Sequence, residues 1–235
     1  LDIVAAGTNI QVLEQRQRII DRGFFLQEEV LLLDERLLLT AGVSADQSSA
    51  NGDDEKLFVY PKASASYRLP LTLTGIDELK LRAAYGESGN QPLYAQKFTA
   101  MTATTNVNGL PGLLVQGNVG DAGLEPERQR EIEGGVDATL LDGRGTLEVT
   151  LFRKNISDLL LQRTLAPSTG FATSIFNGGK MVTSGTEVAI GLVPVQTPDL
   201  QWIFRTTFFT TKSKITELPV PAFRAGGVGS GLGRS

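Results

Sequence analysis

Hydrophobic and polar residues alternate with a period of two along most of this chain, in runs close to the ~9–11 residues with which a tilted strand crosses a bilayer. The clearest run begins at Leu79: Leu79, Leu81, Ala83 and Tyr85 fall on one face, and Lys80, Arg82, Ala84 and Gly86 on the other. A second run sets Ile132, Gly134, Val136, Ala138 and Leu140 against Glu131, Glu133, Asp137 and Thr139. Leu147, Val149 and Leu151 alternate with Glu148 and Thr150, and Thr186, Val188 and Ile190 with Glu187, Ala189 and Gly191. The last run opposes Trp202, Phe204 and Phe208 to Gln201, Arg205 and Thr207, less regularly, since Ile203 and Phe209 lie on its polar side. Residues 24–33 and 37–44 flank a hairpin turn at Asp34-Glu35-Arg36, and in 59–69 Lys62, Ser64, Ser66 and Arg68 oppose Ala63, Ala65, Tyr67 and Leu69. The pattern predicts an all-β, antiparallel fold of about eight strands. Residues 11–22 read as an amphipathic helix or a leading strand, and strand is preferred because all that follows is β.

The connections differ in length in a regular way. Short turns are predicted at 34–36, 70–78, 142–145 and 194–199, with the hairpin dipeptide Asp142-Gly143 in one of them. Long loops are predicted at 45–56, 88–128, 155–180 and from 211 onward. A loop of that second length is uncommon in a compact soluble domain, whereas short periplasmic turns and long extracellular loops describe an outer-membrane barrel.

An alternating strand alone is also the ordinary half-buried strand of a soluble β-sandwich, so both architectures remain open on periodicity. In a barrel the apolar faces meet lipid, and Lys80, Arg82, Glu131, Glu133, Asp137, Glu148 and Glu187 face the lumen, because Arg or Lys on the lipid face costs ~2–4 kcal/mol near the midplane.

Charge and chemistry narrow the function. With 22 basic and 26 acidic residues and no basic block, a nucleic-acid partner is not expected. The chain has neither cysteine nor histidine, which removes disulfides, thiolate sites, the usual general base and every Ser-His-Asp triad. No enzyme activity, metal or cofactor is therefore expected. Glu131 and Glu133 resemble a glycosidase pair only in spacing, lack a partner acid, and read as a charged wall. Asn51-Gly-Asp-Asp-Glu55 lacks calcium-loop spacing and reads as a solvated loop tip. Ligand contact is expected on the long loops, at Asn90, Gln91, Tyr94 and Phe98 in one and at Phe171 and Phe176 in another. Amides with aromatics suit sugars or siderophores, and suit loop–loop packing equally.

Five stretches carry a family likeness. Leu79-Lys-Leu-Arg-Ala-Ala-Tyr-Gly-Glu-Ser-Gly-Asn-Gln-Pro92 resembles the strand and loop "LKLRASYGxxGNQ" of TonB-dependent receptors, in particular the SusC/RagA-like branch. Tyr60-Pro-Lys-Ala-Ser-Ala-Ser-Tyr67 is similar to that family's "YPxxSxSW/Y", and Leu124-Glu-Pro-Glu-Arg128 with Glu131-Ile-Glu-Gly-Gly135 to "LKPExxxxxExG". Phe152-Arg-Lys-Asn-Ile-Ser-Asp-Leu-Leu160 resembles "Y-x-K-x-T-x-D-L-L". Asn177-Gly-Gly-Lys-Met-Val-Thr-Ser-Gly-Thr-Glu187 resembles "N-x-G-x-x-x-N-x-G-x-E", with Ser184 where the family often has Asn. The order and spacing agree from about Gly23 to Phe223.

The resemblance implies an outer-membrane importer of a nutrient (a glycan or a siderophore-like ligand), closed by an N-terminal plug and driven by TonB. It implies three partners: outer-membrane lipid, TonB through an N-terminal region, and a SusD-like surface lipoprotein. Barrels of this class have ~22 strands, so residues 1–235 are expected to form a partial barrel domain, with the plug and the barrel's C-terminal part absent. The rival readings are a soluble or surface β-sandwich that binds carbohydrate or protein, and a structural barrel subunit of a membrane assembly.

Overall fold

In the computed structural model, residues 16–71, 73–107, 109–115 and 117–221 are described. The chain is organised around one antiparallel sheet of eight strands, in the order β1 (Asp21–Leu32), β2 (Leu37–Ser48), β3 (Phe58–Arg68), β4 (Ile76–Asn90), β8 (Glu127–Leu140), β9 (Gly145–Ser157), β12 (Lys180–Gln196) and β13 (Gln201–Glu217). Neighbours in this order pair throughout, and strands β1 and β13 form its two edges. Each strand is 11 to 17 residues long, so each is long enough to cross a bilayer and most project beyond it. The loops contribute β5 (Met101–Val107) with β6 (Leu110–Val115), and a small sheet of β7 (Asn118–Val119), β10 (Leu160–Thr164) and β11 (Thr173–Asn177). One 3-10 turn, Pro167–Thr169, is the only helical element among the described residues.

The register fixes two faces, because side chains directly opposite one another in an antiparallel pair share a side. One row reads Leu32, Leu37, Tyr67, Leu81, Val136, Val149, Val188, Phe208. It is apolar across all eight strands. This apolar face is uncovered: Phe24 is 66%, Ile132 62% and Phe208 61% exposed. A β-sandwich buries such a face against a second sheet, and no second sheet lies on it among the described residues. The sandwich reading is therefore overturned, and lipid is the solvent that makes the face stable.

The connections fall at opposite ends. Residues 33–36, 69–75, 141–144 and 197–200 make the short turns, while 49–57, 91–126 and 158–179 make the long loops. Two short turns share a sequence pattern, Leu33-Asp-Glu-Arg36 and Leu141-Asp-Gly-Arg144, and each opens with two residues at positive φ. The third position is also left-handed, at φ 64° for Glu35 and 77° for Gly143. Arg144 then ties its turn to the end of the neighbouring strand β12 through the carbonyls of Val193 and Pro194.

Three expectations need correction. Residues 211–217, expected to open a loop, continue β13 paired with β12, with one register shift between Ile215 and Glu217. The polar run at 51–55 is not a wholly solvated tip, since Asn51 is fully buried beneath the loops, while Asp53, Asp54 and Glu55 are exposed. Of residues 11–22, expected as a leading strand, positions 11–15 lie outside the described residues, 16–20 form no regular element, and the strand begins only at Asp21.

Candidate functional site

The charged face is built by four adjacent rows of β4, β8, β9 and β12. They read Lys80–Asp137–Glu148–Ala189, Arg82–Gly135–Thr150–Glu187, Ala84–Glu133–Phe152–Gly185 and Gly86–Glu131–Lys154–Thr183. All seven charged residues singled out in the sequence stand within these rows, on the side opposite the apolar belt. Asp137 bridges Lys80 Nζ at 2.9 Å and Arg82 Nε at 3.0 Å. Arg82 reaches further, donating to the Thr150 hydroxyl. It can do so because Gly135 leaves the intervening position bare: a Cβ there would stand 2.9 Å from the Arg82 guanidinium carbon. Lys154 pairs with Glu131 at 3.2 Å. Glu133, Glu148 and Glu187 have no ion-pair partner among the described residues, which leaves the face acidic and open to water. No nucleophile with an adjacent base is assembled there, and no group of residues able to hold a metal ion occurs among the described residues.

Above this face the long loops are tied into one body. Asn177 is the main knot: its side-chain oxygen accepts from Glu125 N at 2.8 Å, and its amide donates to the carbonyls of Glu125 at 2.7 Å and Asp158 at 3.0 Å. Gly52 N donates to Leu124 O at 2.7 Å, Lys97 Nζ to Asn51 O at 2.9 Å, and Lys56 pairs with Glu125. Leu124 is nearly fully buried in the middle of these contacts. Strand β11 pairs in parallel with β7, joining the third loop to the second.

This body encloses a cleft of about 280 Å3. Tyr94, Phe98, Asn118, Gln162, Thr173 and Ile175 line it together with Gln96 and small apolar residues, and no lining residue is charged. Of the six ligand-contact candidates, Tyr94 and Phe98 meet here. Asn90 instead caps β4 by donating to Glu127 at 3.1 Å, and Gln91 follows it, half-buried. Phe176 packs under the Arg163 guanidinium, 4.8 Å from its ring centre, and Phe171 sits half-buried beside the 3-10 turn. Neither of these two lines the cleft. Asn118, Gln162 and Thr173 were not legible in the sequence, because isolated small polar residues in a loop carry no signal of where the loop folds.

Asn177→Ala is expected to loosen this body without unfolding the barrel. It removes three hydrogen bonds at one point, and should lower the opening free energy of the loops by about 1–2 kcal/mol, given their partial exposure. Amide exchange in 117–126 and 158–179 should quicken while exchange in β4, β8 and β9 stays unchanged; equal quickening in the strands would contradict the assignment.

Comparisons with known proteins agree with this architecture. The family described as "TonB dependent receptor-like, beta-barrel" matches residues 4–232. TonB-dependent receptor P26 of Formosa agariphila is 30% identical over 192 residues, which are 78% of this chain and 19% of that receptor. TonB-dependent receptor P39 of the same organism is 27% identical over an equal span, 18% of its length. Among solved structures, the RagAB peptide transporter superposes with a TM-score of 0.81 at 20% identity, covering 90% of this chain and 24% of that one. The siderophore receptor PirA of Pseudomonas aeruginosa superposes with a TM-score of 0.57 at 19% identity, covering 84% and 35%. The chain thus spans about a fifth of the length of the curated relatives it matches.

Proposed function

The chain belongs to the TonB-dependent receptor β-barrel family, outer-membrane transport proteins rather than enzymes, and from that premise we propose that it is a wall segment of an importer whose outer loops make the first contact with an uncharged, hydroxyl-rich nutrient such as an oligosaccharide. The observation that carries the ligand class is the cleft of Tyr94, Phe98, Asn118, Gln162 and Thr173, which offers aromatic faces, amides and a hydroxyl without one charged side chain. Sugars present apolar ring faces and many hydroxyls, and are matched by this set. An anionic chelate would call for cations, and this favours the glycan over the siderophore-like alternative.

In this reading the seven charged residues from Lys80 to Glu187 face the lumen and line the descending path. The three acids without ion-pair partners keep that wall hydrated, so a released sugar meets exchangeable water rather than an apolar surface that would hold it. The plug and the remaining strands belong to other parts of the polypeptide, TonB supplies the energy through an N-terminal region, and a SusD-like surface lipoprotein is the partner that would lie over the loops.

The test is uptake by cells carrying the full-length receptor. Asn118→Ala and Gln162→Ala each remove a hydrogen-bonding side chain from the cleft. Each should raise the KM for oligosaccharide uptake about tenfold, with surface abundance unchanged. An unchanged KM, or import of an anionic ferric chelate in preference to oligosaccharides, would overturn the ligand class.

A further inference from the structure

The apolar face does not run to the ends of the strands. Toward the long-loop side two of its rows turn basic: Ile132–Arg153–Ser184–Lys212, and beyond it Arg130–Asn155–Val182–Lys214. Most cations near this level have a carboxylate. Glu87 holds Arg128 and Arg130, Glu217 holds Lys180 at 2.7 Å, and Lys154 on the opposite face is held by Glu131. Arg153 has no ion-pair partner although the strands on both sides of it, β8 and β12, are in place, and Lys212 and Lys214, on the edge strand β13, have none among the described residues; all three are exposed. Glu28, the acid that shares the row of Arg153 and Lys212, stands on β1 at the far edge of the sheet, and Glu87, in the row of Lys214, is held by Arg128 and Arg130.

Their height matters. Trp202 lies on the same face of β13, ten positions before Lys212. At ~3.4 Å per residue and a strand tilt of ~40°, that separation is roughly 26 Å along the membrane normal, the height of a barrel's ~25 Å apolar band. With Trp202 at the periplasmic interface, as tryptophan prefers, Lys212 reaches the level of the outer-leaflet phosphates. Arg153 and Lys212 flank Ser184 on either side, two strand spacings or ~10 Å apart. Below them on the same strands lie Leu151, Thr186, Val188 and Phe208.

We propose that Arg153, Lys212 and Lys214 form a seat for the phosphorylated headgroup of an outer-leaflet lipid, whose acyl chains lie against Leu151, Val188 and Phe208. Guanidinium and ammonium groups on both sides of a small hydroxyl-bearing residue suit a phosphate, and their exposed charges sit where a phosphate-bearing lipid would neutralise them. The seat needs the outer-membrane placement of the chain and is independent of which nutrient the loops select.

Native mass spectrometry of the full-length receptor in neutral detergent, titrated with diphosphoryl lipid A, tests this. The wild-type protein should retain diphosphoryl lipid A about tenfold better than its dephosphorylated counterpart. Millimolar inorganic phosphate should not displace it. The double variant R153Q/K212Q should abolish the preference, and K154Q, on the opposite face, should leave it intact. Equal retention of the two lipids by the wild-type protein would overturn the proposal without any variant having to fold. So would displacement by free phosphate, which marks a simple anion site. A dimer mass replacing the lipid adduct would assign the face to a second copy instead.

Discussion

Val188→Arg is expected to block assembly of the receptor in the outer membrane, while Ala189→Arg, at the neighbouring position, leaves it intact. Val188 belongs to the row that is apolar in all eight strands, between Val149 and Phe208. By the same strand geometry, Phe208 stands six residues above Trp202, roughly 16 Å along the normal and well inside a ~25 Å apolar band. An arginine there costs ~2–4 kcal/mol on the lipid face, a large share of the ~5–15 kcal/mol by which a protein is usually stable. Ala189 points the other way, directly opposite Glu148. Glu148 has no ion-pair partner among the described residues, so an arginine beside it gains an opposite charge worth ~0.2–1 kcal/mol. The readout is the heat-modifiable band of the full-length protein in outer-membrane fractions. Assembly of both variants to the same extent, or failure of both, would contradict the assignment of faces.

That contrast rests on strand phase, which was the most legible property of the sequence. Period-two alternation placed Leu79, Val136, Val149 and Val188 on one side and Lys80, Asp137, Glu148 and Glu187 on the other, and the pairing keeps them so. Phase survives because a slip by one residue would turn every apolar side chain to the wrong solvent. Strand ends are less legible for the converse reason. Residues 211–217 leave the bilayer, and with no lipid to satisfy, their sequence drops the alternation. Only hydrogen bonding to β12 keeps them extended.

The loops were legible as loops and not as a body. Strand β11 meets β7 through a parallel pairing of two residues far apart in the chain, and no local pattern encodes such a contact. The same holds for Asn51. Its neighbours Gly52, Asp53, Asp54 and Glu55 have the composition of a solvated turn, yet Leu124 and Lys97 close over it. The cleft was half legible: Tyr94 and Phe98 stood out as aromatics, and Gln162, brought in by the third loop, did not. A polar residue becomes a candidate only when the fold puts an aromatic across from it.

Gly185→Val should disrupt the sheet where Gly86→Val does not, although both glycines lie on the charged face within β-strands. The motif Asn177 to Glu187 marks Gly185 by resemblance without saying why a glycine is needed there. The structure supplies the reason. A Cβ at Gly185 would stand 2.3 Å from the Thr210 carbonyl oxygen and 2.5 Å from the Phe152 ring. Phe152 lies directly opposite Gly185 and lays its ring across the bare backbone, so the ring and the β12–β13 pairing cannot both keep their places once a side chain is added. A Cβ at Gly86 meets nothing within 4 Å. Overpacking of this kind costs ~1–3 kcal/mol, more where the opposing atom is backbone and cannot move away. The β propensity of valine would if anything favour both variants equally, so a difference between them isolates the steric effect. Thermal loss of the heat-modifiable form of the full-length receptor should come at a clearly lower temperature for Gly185→Val. The further variant F152A/G185V should recover part of that loss, because removing the ring clears one of the two clashes and leaves the carbonyl.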